Sequence, residues 1–347
     1  MSSSPVPSST AFVLGASTTG FLGTPAAGIR PVEVDETGAV WLGDPVDVGP
    51  DPMYLARHGD TLVVAHHLDD GAVSALRLGD DGPEALGVRQ PTGGADSCHV
   101  SISPDGRWAF SADYTSGSLS VHPLGPDGVG PQHLRVAYEG SGPDASRQES
   151  PHAHQAVVDA ARSQLVVADL GADRLRVHGL AALAAGDDTH ADIHLRPGSG
   201  PRHLVVLGRH AVVAYELDGT LGLVDLDAPE RGETTAIVST MAGSAAASSA
   251  LRRSPTGLLA VANRTPNTVS TILADDEAGT LELLDEFPVA GDHPRDIEFT
   301  ADGRFLVIAN MASDSLTVLA VDPASGRMSQ VGEPVATPGP ACLLRMD

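Results

Sequence analysis

The chain has 347 residues, 41% of them hydrophobic and only 3% aromatic, with a formal net charge of −24. So large an acid excess repels phosphate backbones and anionic lipid surfaces, which argues against nucleic acid or a membrane as a general partner. All 21 basic residues are Arg, so neither a Schiff-base lysine nor a P-loop lysine is available, and an anionic ligand would have to be gripped by Arg or His.

In chain order, MSSSPVPSST lacks a basic n-region, and the apolar AFVLGA after it is too short for a signal peptide or a membrane span. Residues 1–10 are expected to be a disordered tail and 11–347 a single domain, since no Pro/Gly/Ser linker or charge run divides the rest. Strand-like runs follow at AFVLGAS, GIRPVEV and VWLGDPV. Hairpin patterns then recur: YLARHGDTLVVAHH, HVSISPDGRWAFSAD, the segment beginning SPHAHQAVV, HLVVLGRHAVVAYE, a copy turning at SPTG, and DIEFTADGRFLVIAN. Asp105-Gly106 and Asp302-Gly303 supply tight turns. GPACLLRMD at the C-terminus has room for one more strand. Cys98 and Cys342 are too few to staple an extracellular scaffold, which fits a reducing, cytoplasmic setting.

The hairpin starts form a column, Pro52, Cys98, His154, Arg202, Ser249, Arg295 and Pro340, recurring every 45 to 56 residues. Short strands at that period are what a propeller blade requires. The expected fold is therefore an all-β, seven-bladed β-propeller in which the N- and C-terminal strands share one blade and so remove the open edges.

In an antiparallel hairpin the start of the first strand and the end of the second lie together. A second column, His67, Asp113, Asp169, Glu216, Asn263 and Asn310, should therefore ring the same mouth, with the Asp-Gly turns on the opposite face. The first column changes chemistry from thiol to imidazole to guanidinium, as a site would. In the second column, Asp113, Asp169 and Asn310 read more readily as acceptors for backbone N–H groups. Glu216, longer than its Asp and Asn counterparts, can reach the channel as a base or charge partner. Arg202 and Arg264 suit a carboxylate or phosphate. His152 and His154, two apart at a strand start, would point the same way, a weak metal signal without a third ligand. His99 and His203 should point away, into packing between blades. Cys98 is a candidate near His154, although a buried thiol is the commoner outcome.

SPHAHQAVV with VVADLGADRLRVHGL, GPRHLVV with AYEL, AVANR, and HPRDIEFTADGRFLVIAN together resemble the lactonase family of seven-bladed propellers, which joins 6-phosphogluconolactonases and carboxymuconate-lactonizing enzymes. The resemblance implies a catalytic set of His154, Arg202, Glu216 and Arg264; the reading of the columns and of SPHAH adds His152, Arg295, Asp113, Asp169 and Cys98 as substrate-binding candidates. The resemblance also implies a hydrolase of carbohydrate metabolism that opens a small anionic lactone with His154 or Glu216 activating water; no metal or cofactor is expected from the residues. The alternatives are a carboxymuconate cyclase and a non-catalytic propeller binding a ligand or protein at the same mouth.

Overall fold

The computed structural model describes residues 9–79, 82–228, 232–239 and 247–346, the side chains of 233–239 excepted. Its strands form seven antiparallel sheets arranged as the blades of a propeller. Each blade runs outward from an innermost strand, Pro52–His58 in blade one, Ser97–Ile102 in blade two, Ala153–Asp159 in blade three, Pro201–Leu207 in blade four, Ser248–Arg253 in blade five and Pro294–Phe299 in blade six. A five-residue helix, Leu180–Ala184, the only one among the described residues, interrupts the outer part of blade three.

Blade seven is made from both ends of the chain. The C-terminal strand Pro340–Arg345 is innermost and pairs with the N-terminal strand Ser9–Ala16, Gly15 lying opposite Cys342. Ser9 and Thr10, assigned from the sequence to the tail, already belong to this strand because they pair with Asp35 and Val34. The remainder of that tail lies outside the described residues.

The second strand of a blade is sandwiched on both faces by neighbouring blades. Gln164–Asp169 and Phe305–Asn310 are consequently buried almost throughout and read as continuous apolar runs, QLVVAD and FLVIAN, rather than alternating ones. Seven apolar clusters fill the seven blade-to-blade interfaces. Between blades five and six, Phe299, Leu306 and Ile308 pack against Ala260 and Val269, all fully buried. Truncating Phe299 to Ala there would cost roughly 3–5 kcal/mol.

The turns that join first and second strands occupy the face opposite the site. Gly106, Gly257 and Gly303 sit at φ +70°, +96° and +72°, values a Cβ would strain, and each donates its N–H back to Ser103, Ser254 or Thr300.

Candidate active site

One extra residue near the start of each innermost strand builds the mouth. Ser97 pairs with Asp113 and His99 with Ala112, leaving Cys98 unmatched. His154, Arg202 and Arg295 are skipped in the same way in blades three, four and six. These are β-bulges, which re-aim a side chain at the cost of one ladder position. In blade one the bulged residue is Met53 and in blade seven Ala341, so the column expected to contain Pro52 and Pro340 is displaced by one residue there.

The bulge also corrects the expectation for His99 and His203. A bulge sets two consecutive residues against one partner, so strict alternation fails and both histidines line the channel beneath the mouth instead of packing between blades. The His203 ring lies edge-on to His154 at 5.7 Å and to His99 at 6.3 Å. For the same reason His152 and His154 do not share a face. His152 precedes the strand and stacks flat on Tyr114 at 4.5 Å, while Tyr114 meets His154 edge-on at 5.5 Å.

The second column divides into two rings. The paired positions that end the second strands are His66, Asp113, Asp169, Tyr215, Asn263 and Asn310. Here the short polar side chains are absorbed by the blades. Ser97 Oγ donates to Asp113 Oδ1 at 2.6 Å, and burial pushes this carboxyl up to about 7. Asp169 accepts the His152 and Ala172 N–H groups and pairs with Arg176 Nη2 at 2.7 Å. Asn310 Nδ2 donates to Thr317 Oγ1 at 2.9 Å. One residue further on lies the ring His67, Tyr114, Leu170, Glu216, Arg264 and Met311. Glu216 and His67 therefore belong to this ring and not beside Asp113.

The bulged residues and the ring that holds Glu216 enclose a cavity of ≈ 230 Å³ lined by His154, Glu216, Arg264 and Arg295, with Tyr114 and Arg147 among its walls. A smaller space beneath it is bounded by His154, Arg202, His203 and Tyr54. Met53, Met311 and Ala341 pack together with Leu22 on the opposite side of the mouth, so its polar and apolar arcs are segregated.

Glu216 is the hub of the polar arc. Its Oε2 forms ion pairs with Arg202 Nε at 3.0 Å and Arg264 Nη2 at 2.6 Å, and its Oε1 accepts a hydrogen bond from Arg147 Nη2 at 2.5 Å. Burial opposes its charge, but the Arg264 and Arg202 guanidiniums override it and hold the carboxyl far below the usual carboxylate range. Arg202 is fully enclosed, and burial together with Arg264 brings its pKa down to about 9. Its Nη1 has no hydrogen-bond partner. His154 Nδ1 is likewise buried without a partner, and burial and Arg202 depress this imidazole well below its ordinary value. Cys98 lines the cavity, but its thiol is spent on the carbonyls of Ala112, Ala153 and His154, and burial pushes it up to about 12. Among the described residues no group of three His, Cys, Asp or Glu is placed to hold a metal ion.

The family model for 7-bladed beta-propeller lactonases matches residues 12–345. The chain belongs to the Lactonase family. Over 306 residues it is 27% identical to the 6-phosphogluconolactonase of Bacillus subtilis, covering 84% of this chain and 86% of that protein. An uncharacterised protein of Staphylococcus saprophyticus is 27% identical over 351 residues, covering 94% of this chain and 98% of its relative. The periplasmic gluconolactonase of Pseudomonas aeruginosa superposes with a TM-score of 0.86 at 27% identity, covering 98% and 99% of the two chains.

Of the residues singled out from the sequence, His154, Arg202, Glu216, Arg264, Arg295 and Cys98 come together at the mouth. Asp113 and Asp169 lie inside the blades, and His152 stands behind Tyr114. His67, named in the second column, also lines the cavity, and so do Arg147, Tyr114, His293 and Phe21, which escaped the repeat. Tyr114 carries a signal in hindsight, since it follows the last paired residue of a second strand, as His67 and Glu216 do. Arg147 comes from the segment GSGPDASRQES, which no other blade repeats. Among the described residues no helix is long and apolar enough to cross a membrane.

Proposed function

We propose that the chain hydrolyses an anionic sugar lactone of the 6-phosphogluconolactone type. The observation that carries this reading is one carboxylate, Glu216, paired with three guanidiniums at a cavity that also holds a neutral imidazole with an unpartnered nitrogen. Cationic donors fixed in advance in a dry pocket are suited to a charge that develops on a carbonyl oxygen during reaction.

In this mechanism His154 takes a proton from water as the water oxygen bonds to the lactone carbonyl carbon. The carbonyl electrons move onto oxygen, where Arg202 Nη1 and Arg264 stabilise them. Collapse of this adduct breaks the bond between the acyl carbon and the ring oxygen, and His154 returns its proton to that oxygen. The carboxylic acid product then ionises to solvent. Glu216 is too firmly ionised to serve as the base; it orients Arg202 and Arg264 instead. An anionic substrate offsets the guanidiniums that depress His154, which makes the imidazole a better base when the site is filled.

The test follows loss of fresh 6-phosphogluconolactone with purified protein. A rate no faster than buffer would sink the assignment. His154→Ala is expected to cost roughly 10²–10⁴ in kcat, the usual worth of a positioned general base. The two unpaired, buried thiols support a reducing, cytoplasmic setting, which cell fractionation tests.

A further inference from the structure

The charges at the mouth are unequal in depth. Arg202 and Glu216 lie at the floor, whereas the Arg147 side chain is 40% exposed at the rim. Arg147 reaches Glu216 Oε1 alone, while Arg202 and Arg264 share Oε2. Gln148 secures its loop, donating to Leu170 O at 2.9 Å and Asp173 Oδ1 at 2.8 Å, so this guanidinium projects from a fixed base. Arg295, the fourth guanidinium of the cavity, makes no ion pair with a described carboxylate. It lies instead 5.7 Å from the centre of the Phe21 ring, on the loop that overhangs the mouth. Burial and Arg264 bring the pKa of Arg295 down.

Four guanidiniums against Glu216 leave three positive charges around the mouth, since Asp296 below them is already paired with Arg252. The oxyanion of lactone opening would neutralise one of them at the floor. The two that remain are Arg147 at the rim and Arg295, which lines both the cavity and the space beneath it, and a phosphate monoester, carrying ≈ −1.5 to −2 at neutral pH, is the substituent that offsets both. A neutral sugar lactone would leave this repulsion uncompensated in the transition state, where compensation counts most.

We propose that Arg147 and Arg295 form a clamp for a dianionic substituent of the substrate, Arg147 turning from Glu216 Oε1 to grip it. The clamp selects phosphorylated over unphosphorylated lactones. It deepens the lactonase reading, on which only the placement of the acyl end at the floor depends.

Two measurements test it with the whole protein. The first is calorimetric binding of inorganic phosphate, which requires no turnover. Arg147→Gln and Arg295→Gln should each weaken it about 10- to 100-fold, the loss of one charge-assisted contact, with partial recovery in Arg147→Lys. The second is the ratio of kcat/KM for 6-phosphogluconolactone to that for gluconolactone, which should fall by a similar factor in both Gln variants, chiefly through KM. Unchanged phosphate affinity in both variants would overturn the clamp, as would equal loss on the two lactones. A wild-type protein that binds phosphate through Arg147 and Arg295 yet opens neither lactone would retain the clamp and remove the lactonase reading.

Discussion

Replacing His203 by Phe should make the protein less sensitive to acid. His203 is 3% exposed, and burial, Arg202 and Arg252 together hold its imidazole well below its ordinary value. In the unfolded chain the same side chain titrates near pH 6.5. Above that pH neither state takes the proton. As pH falls through 6.5 the unfolded state binds a proton that the folded state refuses, so stability is lost from there down toward the folded pKa. Between pH 7.5 and 5.5 this one residue therefore costs about 1.4 kcal/mol. His99 and His154 are depressed in the same way and act in the same direction, whereas Asp113, raised to about 7, works against them. The total is a balance, but the single-site difference isolates His203. Urea unfolding followed by far-UV circular dichroism at the two pH values gives the stability loss for wild type and for His203→Phe. The variant should lose about 1.4 kcal/mol less than wild type. Equal losses would refute the buried, neutral assignment of this ring.

Glu216→Gln keeps the shape of the hub but strands three guanidiniums, and is expected to lower stability by about 3–5 kcal/mol, as breaking a buried ion pair does. Millimolar phosphate should restore more of the melting temperature in that variant than in wild type, read by scanning calorimetry. Cys98 and Cys342 should stay silent to a thiol reagent at pH 8 in the folded protein and both react in urea, because burial pushes each thiol up. Asp51→Ala should raise KM more than it lowers kcat. Asp51 accepts the Thr18 and Thr19 N–H groups and the Ser17 hydroxyl that fix the base of the Phe21 loop, at 2.7, 3.0 and 2.9 Å. Deleting the C-terminal strand from Pro340 onward removes the inner edge of blade seven and should abolish cooperative unfolding.

The propeller was legible because its turns and its period repeat. SPDG, SPTG and TADG mark the same corner of three blades, and the one-strand remainder at the C-terminus called for a partner at the N-terminus. Much of the site was legible for the same reason: His154, Arg202 and Arg295 recur at blade spacing, and each occupies a bulge. What the residues do not disclose is the bulge itself. An extra residue in a strand buried on every side leaves no trace in the hydrophobic pattern, so His99 and His203 were assigned to the wrong direction. Glu216 was found although its alignment with Asp113 was off by one, since Tyr215 holds that position. Arg147 was invisible to repeat logic, because its loop has no counterpart in the other blades.

The repeated bulge has a consequence for how such a protein can change. Each innermost strand offers one outward-turned position whose backbone is already committed, whatever side chain it carries: Met, Cys, His, Arg, Ser, Arg and Ala around this ring. Most of the apolar packing that joins the blades resides elsewhere, in the interfaces between sheets. The mouth is thus a set of seven sockets on a common rim, and substitutions there can redraw the charge map of the cavity while the ring that presents it stays the same.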